Sequence, residues 1–268
     1  ALNDVPREPL VPRRLGKNMC VPFGKILRGK VVPNTVTKTL HTDKVYEPDL
    51  NSFTIEPFPY YSPLKSQIKT IRSFDRPVIL VDDLVHTANR LQVLVPQLRE
   101  DGIPIKKVVV GVLSGYGRDL MQCLKVPVES IYSMPNLRQW FVESTLYPFI
   151  GGDTVRREEM KVAGLQPSIN MILPYATPRL SGCSREALVE FSACCIENSR
   201  DLFQVLEAEY RKMYAKNLTL SRLSEAVILP LCPDKGSCME YDENLAASVY
   251  LENDLETLWR MKEFLIKG

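Results

Sequence analysis

The segment that decides the fold of this chain is an apolar run that ends in two adjacent carboxylates: Pro77-Val78-Ile79-Leu80-Val81-Asp82-Asp83-Leu84-Val85-His86-Thr87-Ala88-Asn89-Arg90. A continuous apolar run predicts a strand that is buried on both faces, as in a parallel sheet. The two aspartates then lie at the carboxyl end of that strand, where open α/β sheets bind ligands. The following loop leads into a helical pattern, so its backbone N–H groups can face an anion. This combination suits a ligand that carries hydroxyls, a metal ion and a phosphate, such as a sugar phosphate.

The sequence on both sides of this segment predicts an α/β fold with a parallel sheet flanked by helices. An apolar stripe at helical spacing follows the loop and ends at Gly102, and Val108–Leu113 forms a second buried strand. Two such strands joined by one helix form a right-handed βαβ unit. A third strand is predicted over Val128–Tyr132. If the strands are neighbours, the turn after Leu113 lies beside the Asp82 loop.

The chain divides by composition into three predicted parts. Residues 1–50 form a Pro-rich basic arm with a β-like lead-in, and residues 51–178 form the α/β core. Residues 179–268 add a helical C-terminal region, in which Ser184 caps a long helix with apolar residues at three- and four-residue steps. Its predicted roles are a cover for the core, a lid or a homodimer interface.

Composition narrows the class of protein. Apolar content of 45% and charged content of 25% are ordinary for a globular chain, and a net charge of +2 favours neither a nucleic acid nor a membrane partner. No apolar run approaches the roughly 18–20 residues of a membrane span. Seven cysteines, an odd number, favour reduced thiols and a cytoplasmic location over a disulfide framework. The first residue is Ala1 rather than Met, so we expect a piece of a longer polypeptide.

Residues 78–90 resemble the 5-phosphoribosyl-1-pyrophosphate (PRPP) motif of type I phosphoribosyltransferases. That motif has four apolar residues, two acids, two apolar residues, and then small or polar residues ending on a small or basic one. The segment fits throughout except at His86, where a small or acidic residue is usual, and at Ala88, where glycine is commoner. The match covers about a dozen residues of the chain.

The resemblance implies a Mg²⁺-dependent enzyme whose partners are PRPP and a nucleobase, with a purine-like base favoured. Asp82 and Asp83 would hold the ribose hydroxyls, and would hold the metal indirectly, through PRPP and water. His86 would occupy the position that handles the proton at N7 of a purine, with a plain loop histidine as the alternative. These three residues are the predicted catalytic set. The predicted PRPP-binding residues are Val85, Thr87, Ala88, Asn89 and Arg90.

A second segment resembles the base-binding turn of hypoxanthine–guanine phosphoribosyltransferases. Pro135-Asn136 precedes Trp140 and Phe141, which would then stack on the base. The acid expected a few residues later has two candidates, Glu143 and Asp153. The alternative is that both aromatic residues belong to the core beneath the C-terminal helices. Gly151-Gly152-Asp153-Thr154 is predicted to be a turn, a helix cap or a second ligand-facing loop.

The resemblance implies two further elements, a pyrophosphate loop and a mobile hood, and the sequence offers candidate segments for both without a clear motif. A pyrophosphate loop would need Lys or Arg after an early strand, and the candidates are Gly24-Lys25 and Arg28-Gly29-Lys30, with no evident strand before them. A mobile hood would cover the reaction, and Thr37–Ser62 is its candidate, with Lys38, Lys44, Tyr46, Tyr60 and Tyr61.

Other interpretations of the same residues stay open. Paired acids after a strand also occur in receiver domains, although the third aspartate expected some 40 residues later is absent from 122–133. The acids could instead cap the next helix. At the level of function, the alternatives are a non-catalytic PRPP- or nucleotide-sensing module of a larger protein, a hydrolase of a ribosyl phosphate, and a cysteine hydrolase that uses His86. A zinc site at Cys232 and Cys238 is not favoured.

Overall fold

A computed structural model of the chain describes residues 15–24, 26–27, 32–58, 61–156, 166–178, 182–223, 228–230 and 241–267. The chain forms two compact units: the first contains Ala1–Asp43 and Ile55–Arg138, and the second contains Lys44–Thr54 and Gln139–Gly268. The predicted three parts, 1–50, 51–178 and 179–268, divide the chain differently and stay a prediction about its domains.

The described residues contain ten strands and six α-helices. The strands are β1 (Met19–Pro22), β2 (Val36–Thr37), β3 (Thr42–Tyr46), β4 (Phe53–Pro57), β5 (Val78–Val85), β6 (Ile105–Ser114), β7 (Val128–Met134), β8 (Asp153–Val155), β9 (Gln166–Ile169) and β10 (Ile228–Pro230). The helices are α1 (Leu64–Arg72), α2 (Asn89–Glu100), α3 (Gly115–Cys123), α4 (Arg185–Tyr214), α5 (Leu220–Leu223) and α6 (Ala247–Lys267). A 3₁₀ turn covers Glu143–Leu146. Within these ranges, no helix combines the length and the apolar character needed to cross a bilayer.

The sheet of the first unit is parallel throughout, with the strand order β2-β1-β5-β6-β7. Its central strand, β5, has four fully or almost fully buried residues, Val78 to Val81, whose side chains alternate between two apolar clusters. Burial on both faces explains why this strand has no polar alternation. Helices α1, α2 and α3 contribute their buried residues to the same cluster as Val78 and Leu80. The predicted parallel α/β sheet flanked by helices is therefore confirmed.

One local prediction in this unit differs from the structure. Strand β5 continues through both aspartates to Val85, because Asp82 and Leu84 pair with β6. The N-cap residue of helix α1 is Pro63. Helix α3 begins at Gly115, because the Ser114 side chain accepts a hydrogen bond from the Gly117 N–H and caps the first turn.

The second unit contains the predicted helical C-terminal region and a second sheet. Helix α4 spans 30 residues, is capped by Ser184 and packs on α6, which confirms the helical prediction. The second sheet has the order β10-β9-β8-β3-β4. Asp153 and Thr154 pair in antiparallel register with β9, so the predicted turn or cap at 151–154 is wrong from Asp153 onward. The partners of that pair are more than ten residues apart, which local sequence patterns do not reveal.

Candidate functional site

The candidate site lies at the carboxyl ends of β1 and β5. From β1 the chain adds a strand on one side, β2, and later adds β5, β6 and β7 on the other side. The direction of strand addition therefore reverses between β1 and β5, and open α/β sheets bind ligands in the crevice outside such a point. The residues that follow these two strands, Phe23 after β1 and His86 after β5, lie at this edge of the sheet.

Asp82 is buried and held by Arg90. Its residue is 7% exposed, and Arg90 Nη1 donates to both carboxylate oxygens at 3.0 and 3.2 Å. The same guanidinium lies over the ring of Phe23, 5.3 Å from its centroid. Burial raises the pKa of Asp82 to about 7, against the opposing effect of Arg90. A carboxyl with a strongly raised pKa in a crevice is typical of a functional site.

Asp83 has a different environment from its neighbour. Its side chain is exposed, and one carboxylate oxygen accepts a hydrogen bond from the Leu84 N–H at 2.8 Å. Successive side chains of a strand point to opposite faces of the sheet, which explains the contrast with Asp82. One carboxylate is thus open to a ligand, while the other is engaged by a cation of the protein.

The loop after β5 leads directly into helix α2 with an open first turn. Ala88 has φ +51°, a left-handed conformation that favours glycine, which agrees with the frequent glycine of the motif at this position. Asn89 Nδ2 donates to Thr87 Oγ1 at 3.0 Å, and Gln92 Nε2 donates to the Thr87 carbonyl at 2.9 Å. Among the described residues, no side chain caps α2. The amides of its first turn therefore suit an anion.

His86 connects this loop to the start of α3. Its Nδ1 lies 2.8 Å from Ser114 Oγ, and Ser114 is fully buried. The Tyr116 ring meets the imidazole edge to face, with centroids 6.1 Å apart. The two loops approach so closely that a Cβ on Gly117 would lie 2.2 Å from the Val85 carbonyl oxygen. The turn after β6 thus lies beside the Asp82 loop, as predicted.

Two alternative interpretations of the acid pair do not agree with this geometry. The N-cap residue of α2 is Ala88, so neither aspartate caps that helix. Strands β1 and β2 precede β5 in the same sheet, whereas a receiver domain would begin near the strand that carries the acids. The acid pair therefore needs a different explanation, and a ligand at the sheet edge supplies one.

The predicted base-stacking residues are in the second unit. Trp140 is 48% exposed and Phe141 is 45% exposed, so neither is a core residue as the alternative required. Asp153 lies in β8 and pairs with Lys44 at 3.4 Å. Stacking of Trp140 or Phe141 on a base stays a prediction.

The early strand that the sequence did not reveal is present as β1. It pairs with β5 and is followed by Phe23 and Gly24, at which the candidate pyrophosphate loop begins. Lys25 and 28–30 lie outside the described residues. In the candidate hood, Lys44 Nζ lies 4.2 Å from the Tyr46 ring centroid and 4.6 Å from that of Phe53. Tyr60 is outside the described residues, and hood closure stays a prediction.

The raised pKa of Asp82 predicts how stability depends on pH. Between pH of about 4 and about 7, the native carboxyl keeps a proton that the unfolded chain releases, so the free energy of unfolding falls as pH rises through this window. The fall is at most roughly 4 kcal/mol. Asp82→Asn should remove it. Urea unfolding of both proteins at pH 4.5 and pH 8 would measure this, and an equal fall in the variant would contradict it.

Comparisons with known proteins add little to this geometry. No protein-family model matches the chain, and no curated protein matches it. A solved structure of the AQ2163 protein from Aquifex aeolicus is similar, with a TM-score of 0.30 and 19% identity over 44% of this chain and 54% of that chain. A purine phosphoribosyltransferase from Pyrococcus horikoshii is also similar, with a TM-score of 0.27 and 13% identity over 47% of this chain and 81% of that chain. Both scores are low, so the fold class rests on the strand order and helix placement described above.

Proposed function

We propose that the first unit binds PRPP together with Mg²⁺, and that the chain transfers ribose 5-phosphate between PRPP and a nucleobase, with a purine-like base favoured. One observation carries the proposal: the exposed carboxylate of Asp83, near the end of β5, and the uncapped start of α2 lie on either side of one short loop, at the edge of the sheet where strand addition reverses. A sugar phosphate presents both hydroxyls and a phosphate within one small molecule.

The loop from Val85 to Arg90 would bind the 5-phosphate. The open amides at the start of α2 supply donors, and the macrodipole of that helix favours a negative charge there. Thr87 adds a hydroxyl that accepts from Asn89 and can still donate its own hydrogen. The exposed position of Thr87 leaves this hydroxyl accessible to a phosphate oxygen.

The acid pair would hold the ribose. Asp83 is exposed and accepts ribose hydroxyls directly, whereas Asp82 shares its oxygens with Arg90. Oxygen donors of this kind suit Mg²⁺, which keeps several waters and contacts few protein carboxylates. Among the described residues, no group of three or more His, Cys, Asp or Glu side chains forms a metal site of its own. The residues therefore fit a metal that arrives with the pyrophosphate, and bound Mg²⁺ would neutralise part of the pyrophosphate charge.

The chain's residues would act by position and charge. As pyrophosphate leaves carbon 1, positive charge develops on the ribose ring, and the carboxylates of Asp82 and Asp83 stabilise it. The loop after β5 holds the phosphate end, so the ribose is fixed at both ends relative to the incoming base. Strand β1 pairs with β5, so Phe23 and Gly24, at which the candidate pyrophosphate loop begins, follow a neighbour of β5. Water must be excluded, and the segment Thr37–Ser62 is our candidate for that role.

Release of pyrophosphate from PRPP tests the proposed activity. We expect one nucleobase from a panel of purines and pyrimidines to raise pyrophosphate release well above the rate without a base, only when Mg²⁺ is present. A purine should be the active member. PRPP binding without release for any base would contradict the transferase activity.

A sensing module is the second candidate, and one contact favours it. Arg90 holds both oxygens of Asp82, so one of the two ribose-binding carboxylates is engaged by the protein itself. A site of this kind can bind PRPP through Asp83 and the loop without turnover. Tight binding together with no release from the base panel would support this function instead.

A further inference from the structure

We propose that Ser114 positions His86 and keeps its neutral imidazole in the tautomer that carries the proton on Nε2. The site would then present a hydrogen-bond donor at this point and take a base with an unprotonated ring nitrogen or a carbonyl oxygen there. The tautomer follows from the hydrogen bonds alone, whereas the class of base rests on the proposed function.

The hydrogen bonds of Ser114 select between the two tautomers. Ser114 Oγ already accepts from the Gly117 N–H at 2.9 Å, and it lies 2.8 Å from His86 Nδ1. If Nδ1 carried the proton, Oγ would accept twice, and its own O–H would need another acceptor. Across the described part of the chain, Ser114 Oγ has these two hydrogen-bonding partners and no third. Donation from the hydroxyl to an unprotonated Nδ1 satisfies every group.

The burial of Ser114 decides between the two tautomers of His86. Ser114 is 0% exposed, so solvent cannot accept the hydroxyl hydrogen in the other tautomer. A buried polar group without a partner is costly enough to give one tautomer a large majority. The position of Ser114 is also rigid, because it ends β6 and caps α3, and Leu113 beside it pairs with Val85. The hydroxyl therefore meets His86 at a fixed point.

The tautomer changes the role that His86 can have. An imidazole that already carries a proton on Nε2 cannot accept a second one there while it stays neutral. Nε2–H can donate to an acceptor on the ligand instead. His86 would thus act as the hydrogen-bond donor to the base, and the imidazole would not remove a proton from the base. This differs from the proton-accepting role that the motif alone implies for this position.

Nitrogen NMR of the unliganded chain tests the tautomer. The chain has only two histidines, His41 and His86, so ¹⁵N-histidine labelling gives two rings that His41→Gln assigns. Spectra would be recorded at a pH of about 8.5, where a free imidazole is neutral. We expect His86 to show a protonated Nε2 and an unprotonated Nδ1. A protonated Nδ1 in the wild-type chain would overturn the proposal, even if variants fail to fold.

Variants show whether Ser114 is the cause. Ser114→Ala should shift His86 toward a mixture of tautomers and leave His41 unchanged. Ser184→Ala is the matched control, because Ser184 also caps a helix, accepting from the Ala187 N–H at 3.1 Å, and belongs to the second unit. It should leave both rings unchanged. An unaltered His86 spectrum in Ser114→Ala would contradict the positioning role.

The class of base has its own test. Guanine and 7-deazaguanine differ by one acceptor, since the second has a C–H in place of the N7 nitrogen. We expect the deaza base to raise KM by up to about tenfold in the wild-type chain, with little change in kcat. Equal KM values would overturn the recognition of the N7 ring nitrogen but not the tautomer. If PRPP does not bind at all, the proposed function fails, whereas the NMR result still decides the tautomer.

Discussion

The double variant Asp82→Asn/Asp83→Asn is expected to lose PRPP binding by roughly 100-fold or more, because two charge-assisted hydrogen-bonding sites for ribose hydroxyls disappear. The fold should survive, since Asp83 is exposed and ionised Asp82 costs stability through its burial. Any pyrophosphate release should fall with binding. Calorimetry would measure PRPP binding, and circular dichroism on the same sample would measure whether the fold is retained.

A charge-matched control separates the site from the net charge of the protein. Asp101→Asn/Asp119→Asn removes two acids from the same unit, outside the loop after β5, and should bind PRPP like the wild-type chain. The single variants should differ, with a larger loss for Asp83→Asn, because Arg90 already engages Asp82. Full binding or activity in the double variant at 82 and 83 would remove the basis of the proposed function.

Gly117→Ala is expected to destabilise the fold more than the addition of a single methyl group at any other glycine of the site. The added Cβ would lie 2.2 Å from the Val85 carbonyl oxygen and 2.8 Å from its carbon. These are backbone atoms of β5, so relief requires α3 to move away from the strand. Overpacking costs about 1–3 kcal/mol, and a 2.2 Å approach to backbone atoms puts this variant at the upper end of that range or above it. The movement should also weaken the contact between His86 and Ser114.

Gly102→Ala is the control for this prediction. Gly102 follows helix α2 with φ +72°, and a Cβ there would meet no atom within 4 Å. Its cost should be limited to backbone strain of about 1–2 kcal/mol. Urea unfolding of the two variants would compare them. If Gly117→Ala is no more destabilised than Gly102→Ala, the close approach of the two loops is wrong.

Patterns in the sequence predicted the centre of the first sheet well. Strands β5 and β6 contain long apolar runs, and α2 has a clear helical stripe ended by Gly102. Strand β1 was not predicted, because its four residues, Met19 to Pro22, are too few to show a period and contain a proline. Its position follows from pairing with β5, more than fifty residues away.

The second sheet was not predicted for the same physical reason. Strands β8, β9 and β10 have three or four residues each, and their order depends on contacts that no local pattern encodes. Such short strands are stabilised by their neighbours more than by intrinsic propensity.

Within the site, the sequence predicted which residues lie in the loop but not their hydrogen bonds. His86 and Ser114 are 28 residues apart. The signal that connects them is the parallel pairing of β5 with β6, in which Val85 is opposite Leu113 and the next residues face each other. The Arg90 contact with Asp82 had no such signal, because it depends on how a long side chain folds back over Phe23.

Calorimetric titration of PRPP into the purified chain tests the central claim most directly. With Mg²⁺ present, we predict saturable binding at micromolar PRPP, which is lost in Asp83→Asn and strongly weakened without the metal. Absence of binding at millimolar PRPP would contradict the account, and the acid pair and loop at the end of β5 would then serve some other ligand.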